Sequence, residues 1–306
     1  MVSPNLSRRG FAAGLFGASV ASGAAVALDR ADAPQRSVRI TALSDGHFDL
    51  PSTAFSSDEA AAPEASRDLE ALDRSMRVGA NAWLLDTPTR RILVDTGSGP
   101  TLQAKYPNTG RLSETLVATG TSAGSITDIV ITHMHADHIG GLMRDGRRAF
   151  PDARLHVAES EWAYWTASER PSLVRAPLKP LSQLIQSIAG ALTYERTLHA
   201  GTVDFGEGIW LVPAPGHTPG HTAVRVETGD QQVLILGDAL ISDAIQFTHP
   251  GVTYGLDSDP AGAAATRRRL FDEIAADGIA LSATHLNTQA LIGLSRRGSG
   301  FHPHLV

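Results

Sequence analysis

The sequence predicts an α/β fold in which two β-sheets pack face to face and helices cover the outside. Short β-rich runs recur along the chain, and each ends in a turn that contains Gly, Asp or His. Stretches with helical periodicity lie between these runs, and the same alternation occurs in both halves of the chain. A sheet buries one face and a helix one stripe, so this alternation favours a layered arrangement.

The predicted elements alternate as follows. Strands are expected at residues 38–43, 82–85, 91–94 and 128–132 in the first half, and at 209–212, 223–226, 233–236 and 279–283 in the second half. Helices are expected at residues 112–119, 159–168, 181–192 and 260–276, the last with Asp259 as its N-cap. Residues 51–75 are rich in Ala, Ser, Pro and charge, and they predict a mobile loop or a short irregular helix.

The composition of the 306-residue chain excludes several classes of function. The net charge is −6 and the charged residues are spread along the chain, which argues against nucleic acid as a partner. There are no cysteines, so disulfides, thiolate zinc sites and cysteine nucleophiles are excluded. A small molecule is the expected partner, and a homodimer is compatible with the sequence.

The first residues resemble an export signal of the twin-arginine type. Arg8 and Arg9 precede an uncharged stretch rich in Ala and Gly, and Ala31-Asp32-Ala33 offers small residues at the spacing of a cleavage site. The alternative is an uncleaved membrane anchor, which is disfavoured because Gly and Ala dilute the hydrophobicity. We expect a signal peptide at residues 1–33, one domain at residues 34–306, and a periplasmic or secreted protein with no stable membrane anchor.

A cluster of metal-binding residue types follows the strand predicted at residues 128–132. The run His133-Met134-His135-Ala136-Asp137-His138 begins where that strand ends. Residues i and i+2 of an extended chain point to the same side, so His133 and His135 can bind one metal ion. Asp137 and His138 follow as the chain turns toward a helix, and they can reach a second ion beside the first. This spacing is rare by chance and predicts a site for two metal ions.

Three further candidate ligands stand at the ends of apolar strands in the second half. His217, Asp238 and His285 each follow directly after such a strand or its turn. Strand ends on one edge of a two-sheet fold converge, so we expect these residues to join the first four. Five histidines and two carboxylates suit two divalent metal ions, best Zn²⁺, with Mn²⁺, Fe²⁺ or Co²⁺ as alternatives.

The order of these motifs resembles that of the metallo-β-lactamase superfamily. The resemblance rests on the histidine run extended by Ile139-Gly140-Gly141, on Val94-Asp95-Thr96-Gly97, on Gly216-His217-Thr218-Pro219-Gly220-His221, on Gly237-Asp238 and on Thr284-His285. It covers nearly all of the expected domain. The resemblance implies a four-layer αββα sandwich.

The resemblance also implies how two metal ions would share the ligands. A hydroxide bridging the two ions would attack the substrate, with Asp137 and Asp238 as catalytic carboxylates. Asp137 can additionally accept a proton, although a role as a ligand alone is favoured. Asp95 would hold a ligand histidine from behind, the alternative being that it caps the turn at Thr96-Gly97. The implied ligands are His133, His135 and His217 for one ion, Asp137, His138 and His285 for the other, and Asp238 as the bridge.

Longer stretches are similar to the methyl parathion hydrolase branch, which also contains N-acyl homoserine lactonase-like enzymes. They include Ser44-Asp45-Gly46 and residues 161–165, 246–253 and 257–269. In that branch an aromatic residue corresponding to Trp165 lines a hydrophobic mouth above the metals and binds substrate. The alternative is that Trp162 and Trp165 form a core stripe on one helical face. Lactonases of the family have a tyrosine three residues after the bridging Asp, whereas Ile241 stands there in this chain.

The bridging Asp238 narrows the implied activity, because true β-lactamases of this fold generally lack it. We expect a two-metal hydrolase that cleaves lactones, esters or phosphotriesters. The alternatives on the same fold are a glyoxalase II-like thioesterase or a β-lactamase. Two others are a redox member and a protein that binds metal for stability alone. A structural zinc needs only four ligands, so seven candidates argue against the last.

Overall fold

Strands and helices alternate along the chain. The computed structural model describes residues 38–58, 62–72, 75–174, 176–229 and 231–306, and the predicted signal peptide at residues 1–33 lies outside them. The strands are β1 (Arg39–Pro51), β2 (Phe55–Ser56), β3 (Ser75–Asp86), β4 (Arg91–Val94), β5 (Asp128–Val130), β6 (Met143–Arg144), β7 (Arg147–Arg148), β8 (Arg154–Ala158), β9 (Arg196–His199), β10 (Val203–Gly206), β11 (Ile209–Pro213), β12 (Thr222–Glu227), β13 (Gln232–Ile235), β14 (Thr253–Tyr254), β15 (Ala280–Ser282), β16 (Ile292–Arg297) and β17 (Gly300–Leu305). The helices are α1 (Pro63–Ala71), α2 (Gly99–Gln103), α3 (Leu112–Ala118), α4 (Ala136–Ile139), α5 (Glu159–Thr166), α6 (Arg170–Leu173), α7 (Lys179–Ala191) and α8 (Pro260–Asp277).

The strands form two main sheets. Counting the described residues alone, one sheet has six strands in the order β1-β3-β4-β5-β8-β9, and the other has seven in the order β10-β11-β12-β13-β15-β16-β17. In the first sheet, β4, β5, β8 and β9 run parallel. In the second sheet, β13 pairs with β15 in parallel, and α8 lies in the connection between them. Such a crossover is what a parallel pair requires. Two short antiparallel pairs, β2 with β14 and β6 with β7, stand apart from the main sheets.

Alternate residues of the central strands pack into different layers. In β4, Ile92 and Val94 join a buried cluster with Ile235 of the other sheet, whereas Leu93 joins a cluster with residues of α3 and α7. In β13, Leu234 packs in a cluster with residues of α8. Side chains alternate across a strand, so each sheet contacts the other sheet on one face and helices on the opposite face. The predicted four-layer αββα sandwich is confirmed.

The first strand continues through a predicted turn. β1 runs across Ser44-Asp45-Gly46, where its pairing with β3 shifts in register and forms a bulge. Gly46 has a φ of 115°, and a Cβ there would lie 1.8 Å from the carbonyl oxygen of Asn108. The Asp45 side chain turns inward and accepts hydrogen bonds from the backbone N–H groups of Ser98, Gly110 and Leu112. This motif therefore anchors loops next to the first sheet.

The predicted strands and helices are present, but the strands β8, β9 and β10 were not predicted. Asp259 caps α8 by accepting a hydrogen bond from the Gly262 N–H at 3.0 Å. Residues 51–75 include the short helix α1, as one of the two expectations had it. The hairpin of β16 and β17 was not predicted, although it forms the edge of the second sheet. None of the helices in the described part of the chain is long and apolar enough to cross a membrane.

Candidate metal centre

Five segments at the ends of strands supply the seven predicted ligands. They are the loop after β5, the short helix α4, the loop between β11 and β12, the 3₁₀ turn after β13, and the loop after β15. Strands that point in one direction bring these segments to the same edge of the sandwich. In chain order, the segments carry His133 with His135, Asp137 with His138, His217, Asp238, and His285.

The seven side chains assemble into two groups among the described residues. Within each group, the candidate ligand atoms lie within 4.8 Å of one another. In one group, His135 Nδ1 and His217 Nε2 lie 3.0 Å apart, a separation that suits two ligands of one ion. In the other, His138 Nε2 and His285 Nε2 each lie 3.6 Å from Asp137 Oδ2. The groups are His133, His135, His217 and Asp238, and Asp137, His138 and His285.

Asp238 lies between the two groups. Its Oδ1 is 3.3 Å from His138 Nε2 in the second group, and its Oδ2 is 3.3 Å from His217 Nε2 in the first. Oδ2 is also 3.2 Å from His285 Nε2. One carboxylate thus faces ligands of both groups, which is the arrangement of a bridge between two ions.

Three of the ligand atoms are buried without a hydrogen-bond partner, which fits a metal site. Six of the seven residues are at most 6% exposed, and the Asp137 side chain is 20% exposed. Within the described part of the chain, His133 Nε2, His138 Nε2 and Asp238 Oδ1 have no hydrogen-bond partner. Leaving such atoms unsatisfied costs roughly 1–3 kcal/mol each. Divalent ions coordinated at these atoms would remove that cost.

Burial and mutual charge set the protonation of the ligands. Burial, together with the neighbouring imidazoles, lowers the pKa of His133 and of His135 well below 6.5, so both are neutral as metal ligands must be. Burial also opposes ionisation of Asp238, but the surrounding histidines outweigh it and lower the pKa of this carboxyl well below 3.8. Asp238 is therefore ionised and available to a cation.

Asp95 holds a predicted ligand from behind. Its Oδ2 accepts a hydrogen bond of 2.7 Å from His138 Nδ1, which leaves His138 Nε2 to face the centre. The same carboxylate accepts hydrogen bonds from the N–H and the hydroxyl of Thr132, at 2.8 and 2.7 Å. Asp95 has a φ of 61°, a conformation uncommon for residues other than glycine. The strand-to-loop turn after β4 is thus shaped to direct this carboxylate toward His138.

Two further contacts, which the sequence analysis missed, orient His217 and His285. Asp257 Oδ1 lies 2.9 Å from His217 Nδ1, and its Oδ2 accepts a hydrogen bond from the Tyr254 N–H. His285 Nδ1 donates to the Gly79 carbonyl at 2.7 Å. The run Asp257-Ser258-Asp259-Pro260 could have suggested a helix N-cap, but no signal in it indicates a partner 40 residues away. In His138, His217 and His285, one ring nitrogen is held so that the other faces the centre.

His221 positions the bridging carboxylate rather than joining the ligands. Its Nε2 accepts a hydrogen bond of 2.9 Å from the Asp238 N–H, as expected for a residue that satisfies local backbone groups. Burial and the proximity of His217 lower the pKa of His221 to about 3, so the ring is neutral and its Nε2 is free to accept.

A buried glutamate connects the ligand loops to Trp165. Glu161 Oε1 accepts hydrogen bonds from the Met134 N–H and from Trp165 Nε1, at 2.8 and 2.7 Å. Its Oε2 accepts one from the Gly220 N–H at 3.0 Å. Burial raises the pKa of Glu161 in spite of these three donors. Sequence analysis did not identify this residue, because a glutamate at the start of a helix is usually exposed.

Trp165 is a core residue that also lies beside the metal centre. The side chain is 4% exposed and belongs to a core cluster, yet its ring packs edge-on against His135 with centroids 5.4 Å apart. It also lines a cavity of about 240 Å³ beside the metal centre. Trp162 lies at the edge of the same core cluster, with Arg196 above its ring. The cavity is bounded by His135, Trp165, Val174, Leu178, Leu181 and Leu256, among others.

The three arginines at residues 267–269 of α8 differ in burial. Arg268 and Arg269 are exposed, whereas Arg267 is buried. The Arg267 guanidinium donates hydrogen bonds to the carbonyls of Ala239, Pro250 and Val252. It therefore ties α8 to the turn that carries the bridging carboxylate.

Comparisons with known proteins agree with this architecture. The family profile of the Metallo-beta-lactamase superfamily matches residues 76–285. A probable metallo-hydrolase of Mycobacterium bovis is 31% identical over 191 residues, which cover 56% of this chain and 58% of that protein. An N-acyl homoserine lactonase of a Bacillus species is 26% identical over 162 residues, which cover 48% of this chain and 57% of the lactonase. The chain thus spans little more than half the length of these relatives.

Solved structures share the fold over most of the chain. AidC, a dizinc quorum-quenching lactonase in complex with a product, is 26% identical and superposes with a TM-score of 0.78. The superposition covers 88% of this chain and 94% of that structure.

Proposed function

The chain belongs to the metallo-beta-lactamase superfamily, and we propose that it is a two-metal hydrolase that cleaves lactones and carboxylic esters. The observation that carries this proposal is the position of Asp238, whose two oxygens face histidines of different ligand groups. Similarity to a dizinc lactonase over 88% of the chain supports the choice of lactones.

Zn²⁺ is the proposed ion at both positions, because five imidazoles and two carboxylates match its preference for nitrogen and oxygen ligands. His133, His135 and His217 would hold one ion, Asp137, His138 and His285 the other, and Asp238 would contact both. Bound ions at this site supply the chemistry of hydrolysis, which is activation of a shared water to hydroxide and polarisation of the scissile carbonyl.

The protein itself contributes orientation. Asp95 and Asp257 each fix one ring nitrogen of a ligand histidine, so the second nitrogen points into the centre. Asp137 is the most exposed of the predicted ligands and lies on the open side of the centre, from which a substrate arrives. Positioning of this kind lowers the barrier because the catalytic groups need little reorganisation during the reaction.

The cavity beside His135 would accept the apolar part of the substrate. Trp165, Leu178, Leu181 and Leu256 present apolar surface to it, and its volume of about 240 Å³ suits an acyl chain or an aryl ring. An ester or lactone with such a substituent would place its carbonyl at the metals and its apolar group in the cavity.

The experiment that tests this function measures metal content and a panel of activities. The purified protein is analysed for metals and assayed on lactones, aryl esters, phosphotriesters, thioesters and β-lactams, beside His135→Ala. We expect two zinc ions per chain, the highest activity on lactones or esters, and a loss of at least about 1000-fold in His135→Ala. A matched control is His302→Ala, which changes an exposed histidine of β17.

Three results would contradict the proposal. They are fewer than two metals per chain, activity that is indifferent to His135→Ala, and an inert holoprotein. If activity were highest on thioesters or phosphotriesters, the proposed metal centre would stand but the proposed substrate class would change. A coloured, iron-containing protein would favour a redox member of the family.

We also propose that the protein is exported by the twin-arginine route. The support is Arg8 and Arg9 before the apolar stretch. Changing both arginines to lysine should retain the protein in the cytoplasm, which fractionation and immunoblotting would detect. Unchanged export of this variant would overturn the proposal.

A further inference from the structure

A tyrosine from outside the predicted motifs lies beside the metal centre. Tyr254, in β14, places its ring nearly parallel to the His217 imidazole, with centroids 6.2 Å apart and planes 16° apart. Its ring also packs against that of Phe55, at 5.2 Å, on the strand with which β14 pairs. The aromatic ring of Tyr254 therefore has contacts both with a predicted ligand and with the small sheet near it.

One carboxylate fixes both Tyr254 and His217. Asp257 Oδ1 holds His217 Nδ1 at 2.9 Å, while Asp257 Oδ2 accepts the Tyr254 N–H at 2.8 Å. The Asp257 N–H in turn donates to the Tyr254 carbonyl at 2.9 Å. Since these bonds close a compact turn, the position of the tyrosine relative to the ligand is set by the protein and does not depend on substrate.

The phenol group of Tyr254 lies in the electrostatic field of the metal centre. The carboxylates of Asp137, Asp238 and Asp257 are close enough to act on this phenol electrostatically. The hydroxyl forms no hydrogen bond to another residue in the described ranges, so its proton is available to a ligand. A phenol O–H beside carboxylates of both ligand groups can donate a hydrogen bond to a substrate oxygen held there.

We propose that the Tyr254 hydroxyl donates a hydrogen bond to the substrate's carbonyl oxygen at the metal centre. This proposal rests on the proposed hydrolase function. The phenol keeps its proton throughout. Negative charge grows on that oxygen as the carbonyl carbon is attacked, so a fixed donor stabilises the transition state more than the ground state. Tyr254 is thus a further catalytic residue, supplied by a segment that contains none of the metal ligands.

The test compares Tyr254→Phe, which removes the hydroxyl and keeps the ring, with Tyr106→Phe. Tyr106 is 37% exposed and packs edge-on against Phe48, which in turn packs against His285. For the metal-loaded proteins, kcat and KM are measured on the best substrate of the panel. Binding of phenylphosphonate, a tetrahedral oxyanion, is measured by calorimetry, and metal content by elemental analysis.

We expect Tyr254→Phe to lower kcat by about 10- to 100-fold with KM changed less than about threefold, since the donor acts chiefly in the transition state. Phenylphosphonate should bind at least about fivefold more weakly, with both metals retained. Tyr106→Phe should match the wild type in all three measurements.

Other outcomes separate this proposal from the proposed function. Unchanged kcat and phosphonate affinity in Tyr254→Phe would overturn the donor while leaving the hydrolase intact. Loss of metal in Tyr254→Phe would also overturn it, because the tyrosine would then support His217 instead. The wild type could be inert toward the panel while its affinity for phenylphosphonate still depends on the Tyr254 hydroxyl. That result would contradict the proposed substrates but support Tyr254 as a donor. Effects confined to Tyr106→Phe would transfer the role to that residue.

Discussion

Two clusters of histidine and aspartate in the described part of the chain differ in how their polar atoms are satisfied. In the metal centre, His133 Nε2 and His138 Nε2 have no hydrogen-bond partner among the described residues. In the second cluster, on β5, β8 and β9, His156 Nε2 lies 2.8 Å from Asp128 Oδ1. The other nitrogen of His156 lies 2.9 Å from His199 Nε2, with the two rings inclined by only 20°. Both nitrogens of His156 are thus used within the protein.

This difference shows what distinguishes a ligand from a structural histidine. His156 and Asp128 are buried, as the predicted ligand histidines are, and both clusters place carboxylates beside imidazoles. Residue type and burial therefore do not separate the two clusters. Unsatisfied atoms that converge on one point do, because burial of a polar atom without a partner is costly and persists only where something else binds it. The second cluster has no such atoms at His156, and we interpret it as a structural hydrogen-bond network.

The largest effect is expected from Asp238→Ala, which removes the carboxylate shared by both ligand groups. Metal content should fall from two ions per chain to one or fewer. Hydrolysis of the best substrate should fall by at least about 1000-fold, since the remaining chemistry lacks a complete two-metal site. Elemental analysis and steady-state kinetics provide the measurements.

The matched control lies in the second cluster. Asp128→Asn removes a charge next to a buried histidine, as Asp238→Ala does, but should leave two ions and full activity. If Asp128→Asn also lost metal, the distinction between the two clusters would fail. Retention of both ions and activity in Asp238→Ala would contradict the assignment of the bridge.

A smaller effect is expected from the carboxylates that support ligand histidines. Asp95→Asn and Asp257→Asn should each weaken the binding of one metal ion by about 10- to 100-fold, because a ring nitrogen of His138 or His217 loses its charged acceptor. Competition with a chromophoric chelator measures both affinities. The two substitutions should each affect the binding of a different ion. If either variant weakened the binding of both ions equally, the two ligand groups would not be independent.

Glu161 offers another test of the comparison between satisfied and unsatisfied polar atoms. It is a buried carboxylate whose three hydrogen-bond donors all belong to the protein. Glu161→Gln presents an amide N–H₂ where an acceptor is needed, so at least one buried donor loses its partner. We expect a loss of about 1–3 kcal/mol in the free energy of unfolding with both metals retained. Chemical denaturation of the metal-loaded protein measures this. A stability equal to that of the wild type would show that the three hydrogen bonds are unimportant.

The sequence predicted most of the fold and the assembly of the predicted ligands, because both depend on local patterns. Periodicity identified α3 and α8 to within one residue at each end, and the ligands stand in short motifs at strand ends. The hairpin of β16 and β17 escaped prediction since its outer residues, such as Ser295 and Arg296, are exposed and break the apolar alternation.

Residues that act over long sequence separations could not be identified in this way. Asp257 is 40 residues from His217, and Glu161 is 59 residues from Gly220, so no spacing rule connects either pair. Asp95 was identified because it belongs to a motif, and its contact with His138 spans 43 residues. The tyrosine that lactonases of the family have three residues after the bridging Asp is absent from this chain. The ring of Tyr254 lies beside His217 and comes from a different segment, a contact that only the folded chain reveals.

The smallest effect is expected from pH acting on the second cluster. Burial and the neighbouring His156 lower the pKa of His199 below 6.5, whereas the unfolded chain keeps the ordinary value. The unfolded state therefore binds more protons, and the wild type loses stability as pH falls through this range. Asp128 adds nothing in this pH range. Burial opposes its ionisation, but the hydrogen bonds with His156 and Thr127 and the charges of His156 and Arg90 together outweigh burial and lower the pKa of Asp128 below 3.8.

His199→Asn removes this penalty along with one hydrogen bond. The variant should be less stable than the wild type at pH 8, and the difference should narrow toward pH 5. The change in the difference should stay below about 1 kcal/mol, because His199 is partly exposed and solvent screens it. Thermal unfolding at constant ionic strength measures it, with the exposed His302→Asn as control. If the stability difference between wild type and His199→Asn stayed constant or widened as pH falls, the pKa of His199 would not be lowered by folding. Protonation of His199 would then not affect the stability of the second cluster.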